Sequence, residues 1–142
     1  MTRLFLPLLL KGSGKTIINI TSIASQLLVR GASAYSTSKL AMLRFSEFTN
    51  LEYGAQGILA YSLHPGAVAT ELAIDVMPKA MASAVLVDTV ELAASTIVFL
   101  TQKRQEWLAG RYISVNWDME ELFGKKDEIV EKDLLKVRMA IE

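Results

Sequence analysis

Short runs of β-branched and aliphatic residues alternate along this chain with longer segments in which apolar residues return at helical spacing. Runs that are apolar at nearly every position are typical of strands covered on both faces of a parallel sheet. Such strands are predicted at residues 16–21, 58–63 and 112–115. Because the segments between them are long enough for helices, we expect right-handed crossovers and a parallel α/β sheet of about three strands.

The segment after the first strand predicts a long helix that Ser33 caps and Gly54 ends. Its apolar residues point in two directions, whereas a surface helix usually carries a single apolar stripe. One stripe consists of Ala41, Phe45 and Phe48, and the other of Leu40, Leu43 and Leu51. We expect either that the helix is buried on both sides or that its second stripe packs on a partner subunit.

Two more helices are predicted in the second half of the chain. Asp88 and Glu91 resemble a capping box and open a helix with apolar residues at helical spacing. The loop between Gly66 and Pro78 is predicted to be less regular. Residues 125–142 are heavily charged but keep a helical apolar repeat, which predicts an amphipathic helix docked on the domain. That repeat is formed by Val130, Leu134, Val137 and Ile141.

The composition narrows the class of protein. With 142 residues, 51% of them hydrophobic, the chain suits one domain with an apolar core, which excludes disorder. The 15 basic residues balance 15 acidic ones, so no positive field favours nucleic acid or an anionic membrane. No apolar run approaches the ~18 residues of a membrane span, so a small molecule or another protein is the expected partner. The absence of cysteine fits a reducing, cytoplasmic location, and one histidine, His64, favours no metal site.

A phenol and an ammonium lie four residues apart at Tyr35 and Lys39, which puts them on one face of the predicted helix. A neighbouring positive charge favours the phenolate, so the pair suits proton transfer near neutral pH. Ser22 lies just past the first strand, where α/β sheets present ligand groups. Its hydroxyl can hydrogen-bond the substrate oxygen that Tyr35 protonates, although Thr21 and Ser25 compete for that role.

A proline-glycine segment at residues 65–70 follows the second strand and reaches the same edge of the sheet as Ser22. Together, the patterns S-x12-Y-x3-K and P-G-x-V-x-T resemble the short-chain dehydrogenase/reductase family, in which a nicotinamide dinucleotide lies across a Rossmann-like, doubly wound parallel sheet. The resemblance extends from about Leu4 to about Asp118. The segment at 116–118 and the charged tail are similar to fungal-type members.

The resemblance implies an oxidoreductase that moves a hydride between NAD or NADP and a small-molecule carbonyl or alcohol. Tyr35 would be the acid or base. Lys39 would hold the nicotinamide ribose and favour the tyrosinate, and Ser22 would orient the carbonyl. The segment after residue 70 would cover the substrate. The nicotinamide would be contacted by Tyr35, Lys39, Pro65, Gly66, the Val68 backbone and the Thr70 hydroxyl.

One departure from the family concerns the phosphate cradle, because neither G-x-x-x-G-x-G nor G-x-G-x-x-G occurs among the eight glycines. We therefore expect residues 1–123 to be the C-terminal part of a Rossmann-like NAD(P)-binding domain without its N-terminal half, followed by the charged helix at residues 124–142. The first strand would then expose an apolar edge. We hypothesise a truncated gene product, an incomplete gene model or an excised fragment, with impaired activity and weak cofactor binding.

Two other functions are open to the same sequence. A serine hydrolase built on Ser33, His64 and Asp75 would need glycine where Tyr35 lies, and its acid and histidine would be in reversed order. A catalytically inactive fragment that acts as a protein-association module, through the Tyr35 helix and the tail, is the stronger alternative because the cradle is missing. A homo-oligomer would form through the helix at residues 35–51.

Overall fold

A computed structural model describes residues 1–139 as a three-stranded parallel sheet with helices on both faces. The strands lie side by side in chain order, and a helix crosses over between each pair of neighbours. They are β1 (Thr16–Ile20), β2 (Leu59–His64) and β3 (Tyr112–Ser114). The predicted α/β fold with about three parallel strands is therefore confirmed.

The helices account for most of the remaining chain. The long helix α2 connects β1 to β2, and α5 connects β2 to β3. The stretch between Gly66 and Pro78, predicted to be less regular, contains the short helix α3. The helices of residues 1–139 are α1 (Thr2–Lys11), α2 (Ser33–Tyr53), α3 (Glu71–Val76), α4 (Lys79–Val85), α5 (Val90–Gln102), α6 (Met119–Gly124) and α7 (Lys126–Glu131).

The main hydrophobic core lies on one face of the sheet, against α5, α6 and α7. β2 is buried at every position because it is the central strand and has helices on both faces. Its residues alternate between the core and α2, and each fully buried aliphatic side chain contributes about 1.5–3 kcal/mol. The core consists of Leu59, Tyr61, Leu63, Leu100, Leu108, Ile113, Val115, Leu122 and Ile129.

α2 packs on the opposite face of the sheet through polar side chains. The Asn19 amide nitrogen donates to the Ser46 hydroxyl at 2.8 Å, and that hydroxyl lies 2.8 Å from the Ser62 hydroxyl. All three residues are buried. Because the buried groups are paired, the desolvation they suffer is offset by hydrogen bonds with fixed directions. These bonds set the rotation and height of α2 on the sheet.

Asn50 completes the pairing of β2 at a position that β3 does not reach. β3 starts opposite Ser62, two residues further along β2 than Ala60. The Asn50 Oδ1 atom accepts from the Ala60 N–H at 3.0 Å, and its Nδ2 atom donates to the Ala60 carbonyl at 2.5 Å. The helix side chain is therefore the acceptor for the Ala60 N–H, while the Ala60 carbonyl also accepts from the Gly110 N–H at 2.8 Å.

The outer face of α2 is apolar. Leu43 is buried on the side of α2 that faces the sheet, but most residues of the two predicted apolar stripes lie outside the interface between α2 and the sheet. The exposed large residues, at 38% to 79%, are Leu40, Phe45, Phe48 and Leu51. The expectation of burial on both sides is wrong for this chain, because the sheet uses the polar side of the helix. Ser33 is the first helical residue, with Ala32 in the cap position, and Gly54 ends the helix as predicted.

Thr89, not Asp88, caps α5. The Thr89 hydroxyl accepts from the Leu92 N–H at 3.3 Å, as an N-cap residue does. The predicted capping box of Asp88 and Glu91 is therefore wrong, because a better-placed hydroxyl follows Asp88 directly. The Asp88 carboxylate binds other partners, described below.

The tail is helical over only part of the predicted range. α7 ends at Glu131, and the chain then continues as turns and extended segments. Leu135 has a φ of 63°, and its carbonyl accepts from the Tyr112 N–H at 2.7 Å. The predicted continuous helix over 124–142 is wrong from residue 132 to residue 139, because this bond to the sheet fixes a non-helical backbone there. Ile141, the last member of the predicted repeat, lies outside the described residues.

α2 is the longest helix, with 21 residues, and its sequence mixes polar and apolar side chains. Among residues 1–139, no helix combines the length and the apolar character that crossing a bilayer requires. In that same part of the chain, no three His, Asp or Glu side chains are grouped as metal ligands would be.

Candidate active site

Lys39 attaches the first half of α2 to the carboxyl end of β1. Its ammonium donates to the carbonyl of Ile20, the last residue of the strand, at 3.1 Å. In the opposite direction, the buried Thr21 hydroxyl donates to the Lys39 carbonyl at 2.9 Å. The two bonds hold the ammonium at the edge of the sheet where α/β proteins bind ligands.

Tyr35 lies in the first turns of α2 with its ring beside the same ammonium. The Lys39 Nζ atom is 5.6 Å from the centre of the Tyr35 ring, within the range of a cation–π contact. The side chain of Tyr35 is 42% exposed, so a ligand can reach its phenol. By contrast, burial raises the pKa values of Tyr61 and Tyr112 to about 12, which keeps those phenols protonated.

Ser22 follows β1 by two residues and starts the 3-10 turn Ile23–Gln26. Its hydroxyl oxygen accepts from the Ala24 N–H at 3.2 Å, so the hydroxyl proton remains for donation to a ligand. The two competing hydroxyls are buried and already donate to backbone carbonyls, Thr21 to Lys39 and Ser25 to Ser22. The structure thus brings Lys39 to Tyr35 and to the strand end that precedes Ser22.

The 65–70 loop leaves the neighbouring strand, β2, at the same edge of the sheet. Gly66 has a φ of 84°, a left-handed conformation that a glycine adopts without strain. Thr70 caps α3, and its hydroxyl accepts from the Ala73 N–H at 3.3 Å while keeping its own proton. Pro65, Gly66 and Val68 are only partly buried, so this loop faces the space beside the strand ends.

Asp88 and Asn116 fix this loop, although no sequence pattern assigned either of them to the site. Asp88 Oδ2 accepts from the Ala67 N–H at 2.6 Å, and Oδ1 accepts from the Asn116 side-chain amide at 2.8 Å. These two bonds, with a smaller effect of His64, lower the pKa of the carboxyl. One feature of the sequence could have indicated this role of Asp88. Thr89 is a favourable N-cap residue for α5, so the Asp88 carboxylate is not needed as the cap.

His64 is the last residue of β2 and is buried. Burial lowers the pKa of its imidazole, and the nearby negative charge of Asp88 opposes that shift. The hydrolase interpretation required Asp75 beside this ring, but Asp75 lies exposed on α3 and Ser33 is exposed at the start of α2. The acidic neighbour of His64 is therefore Asp88, which does not support a hydrolase triad.

The chain is a parallel α/β sheet with a phenol, an ammonium and hydroxyls at the carboxyl ends of its strands. In α/β proteins of this class, ligands bind outside those strand ends. A family model described as short chain dehydrogenase matches residues 1–80, more than half of the chain. The chain belongs to the short chain dehydrogenase family.

The relatives that this chain matches are longer than the chain itself. The short chain dehydrogenases mpl6 of Monascus purpureus and citE of Monascus ruber are each 57% identical over 141 residues, which are 99% of this chain and 48% of each relative. The solved NADPH-bound carbonyl reductase from chicken fatty liver has a TM-score of 0.66 and 25% identity, over 80% of this chain and 48% of that one. The chain therefore spans about half the length of the relatives it matches, and its strands form an incomplete Rossmann-like sheet.

Proposed function

We propose that residues 1–123 act as the C-terminal part of an NAD(P)-binding domain that reduces a carbonyl or oxidises an alcohol. The observation that carries the proposal is the Lys39 ammonium, held between the Ile20 carbonyl and the Tyr35 ring. When bound, the nicotinamide gives or takes the hydride. The chain contributes the proton and the geometry.

Tyr35 is the proposed acid and base. Its exposed phenol donates a proton to the carbonyl oxygen during reduction and takes it back during oxidation. The Lys39 charge beside the ring stabilises the tyrosinate that forms when the proton leaves. Ser22 donates its hydroxyl proton to the same substrate oxygen and orients it.

The residues of the 65–70 loop fit the nicotinamide end of the cofactor. Gly66 turns the backbone in a left-handed conformation at the strand end, and Pro65 stiffens the backbone beside it. The Val68 backbone and the Thr70 hydroxyl, whose proton is available, suit a carboxamide group. The sequence holds no glycine-rich turn for the pyrophosphate, so we propose that the chain alone binds either NAD or NADP weakly.

The helices that follow the loop support an apolar substrate. α3 and α4 come directly after Thr70, and their large apolar side chains lie exposed instead of packing on the core. These side chains are in contact with water, so covering an apolar ligand would remove apolar surface from water, which is favourable. The exposed residues are Leu72, Ile74, Val76, Met81 and Val85.

The test is a chimera in which this chain replaces the matching half of the Monascus purpureus relative. Oxidation of NADH or NADPH is followed with a panel of apolar ketones. We expect turnover with at least one ketone, and Tyr35→Phe should lower kcat by about 10²- to 10⁴-fold while cofactor affinity changes little.

Tyr53→Phe is the matched control, because Tyr53 lies at the far end of the same helix. It should leave turnover unchanged. Full activity of the Tyr35→Phe chimera would reject the proposed acid and base.

A protein-association module is the second candidate, and the apolar outer face of α2 favours it. The same face would join two copies of an active enzyme, so oligomerisation alone does not separate the two functions. Light scattering after size-exclusion chromatography, at two concentrations, tests the homo-oligomer. An unaltered chimera that forms oligomers but neither binds dinucleotide nor turns over any ketone would favour the inactive module.

A further inference from the structure

The Asp88 carboxylate joins three separate segments of the chain. One oxygen accepts from Ala67 in the 65–70 loop and the other from Asn116, just after β3. The backbone of Asp88 also binds the loop, since its N–H donates to the Ala67 carbonyl at 3.1 Å. Asp88 therefore contacts both backbone polar groups of a single loop residue.

The loop is shaped around this carboxylate. Val68 forms a parallel bridge with Asp88, so the Asp88 backbone runs alongside the loop. A Cβ atom added to Gly66 would lie 2.7 Å from Asp88 Oδ2 and 3.0 Å from its Cβ, which is too close. The Asp88 side chain therefore lies so close to the left-handed backbone of Gly66 that no side chain fits at that position.

The charge of Asp88 strengthens these contacts. Hydrogen bonds to an ionised carboxylate are shorter and about twice as strong as neutral ones. The carboxyl is ionised at neutral pH, and the Ala67 and Asn116 donors lower its pKa further. Among the described residues, His64 is the ionisable group that interacts with this carboxyl, and burial lowers the pKa of its imidazole.

We propose that Asp88, held by Asn116, is a positioning residue that fixes the 65–70 loop so that the Val68 backbone and the Thr70 hydroxyl meet the nicotinamide carboxamide. The proposal rests on the proposed function for its cofactor, but the contact itself can be tested without one. Asp88 touches the loop and not the reacting atoms, so it acts through Val68 and Thr70.

The first experiment measures amide hydrogen exchange of Ala67 in the unmodified chain by NMR. Asp88→Ala should speed this exchange roughly tenfold or more, because the N–H loses a charged acceptor. Asp88→Asn should have a smaller effect, since the amide oxygen still accepts from Ala67. Asp75→Ala, which removes an exposed carboxylate from α3, is the matched control.

Two further variants identify the Asn116 bond. Asn116→Asp places two carboxylates side by side. The protection of Ala67, taken relative to the intrinsic exchange rate at each pH, should therefore be low at pH 7 and recover at about pH 4, when one carboxyl takes a proton. The double variant Asp88→Asn with Asn116→Asp reverses donor and acceptor, and it should restore slow exchange at pH 7. Unchanged exchange in Asp88→Ala, or no rescue in the double variant, would overturn the contact.

The second experiment measures dissociation constants of NADH and NADPH for the chimera by cofactor fluorescence. Asp88→Ala should raise the constant about tenfold, a loss of ~1.4 kcal/mol, with a smaller change in kcat at saturation, and the double variant should restore it. An unchanged constant in Asp88→Ala, alongside fast Ala67 exchange, would overturn the positioning role and leave the proposed function intact. If the unaltered chimera bound neither dinucleotide, the proposed function would fail together with this role, whatever the exchange result.

Discussion

At the scale of single residues, Lys39 acts on two neighbours at once. Its four-carbon stem spans from α2 to the end of β1, where the ammonium meets the Ile20 carbonyl and remains near the Tyr35 ring. An arginine would present a planar fork instead of a compact point charge and would not fill both contacts in the same way. The strand end thus fixes where the positive charge lies relative to the phenol.

Asp88 gives the chain a pH dependence with a definite sign. Because its pKa is lower in the folded protein than in the unfolded chain, the carboxylate stabilises the fold above the unfolded value, about 3.9, and this contribution is lost as the pH falls further. The free energy of unfolding should therefore drop more steeply for the unaltered chain than for Asp88→Asn between about pH 5 and pH 2. Urea denaturation followed by circular dichroism measures both curves.

Asp75→Asn is the control for this comparison, because it removes a carboxylate from the exposed surface of α3. Its curve should follow that of the unaltered chain. Parallel curves for the unaltered chain and Asp88→Asn would contradict the assignment of the lowered pKa to Asp88.

At the scale of elements, α2 is docked mainly by hydrogen bonds, with Leu43 as its buried large apolar residue. The Asn19, Ser46 and Ser62 contacts and the Asn50 bonds to Ala60 all lie on the side facing the sheet. Directional bonds specify one position of the helix, whereas apolar contacts allow it to slide or rotate more easily. The candidate site depends on that position, since Tyr35 and Lys39 are carried by the same helix.

Asn50→Ala should destabilise the chain by about 1–3 kcal/mol, because it leaves the buried N–H of Ala60 without its acceptor. Urea denaturation measures the loss. Glu52→Ala is the matched control on an exposed position of α2 and should change stability by less than about 0.5 kcal/mol. Equal effects of the two substitutions would contradict the role of Asn50 as the acceptor for the Ala60 N–H.

At the scale of the whole molecule, β1 is an edge strand. Within residues 1–139 it pairs with β2 alone, and a groove of about 1080 Å³ lies beside it, lined by α1, the turn before the strand and β1 itself. A strand edge with free backbone groups is a template for pairing with another chain. We expect further strands of a longer Rossmann-like sheet to pair at that edge.

The isolated chain should therefore self-associate as its concentration rises, which light scattering measures. Adding the other half of the Monascus purpureus relative as a separate polypeptide should suppress the association and give a complex of equal stoichiometry. The same half with proline in the strand that meets β1 is the control, because proline lacks the N–H that a ladder requires. Suppression by both polypeptides would contradict pairing at the β1 edge.

The sequence by itself determined the strands, the long helix and the pairing of Tyr35 with Lys39. Each of these depends on neighbours within a few residues: β-branched runs favour buried strands, and a spacing of four residues places two side chains on one side of a helix. The order of secondary structure elements then required parallel crossovers, which bring the ends of β1 and β2 to one edge of the sheet. This is why the positions of Ser22 and the 65–70 loop could be predicted.

Only the tertiary structure decided which side of α2 meets the sheet, what Asp88 binds and where the tail leaves its helix. Asp88 has a capping pattern with Glu91, yet its partners are 21 and 28 residues away in the chain. Likewise, the apolar repeat through Leu134 favours a helix, but Leu135 accepts a bond from β3. Local sequence patterns do not predict these contacts. Buried polar groups form hydrogen bonds with the partners that lie next to them once the elements are packed, and those partners are distant in the sequence.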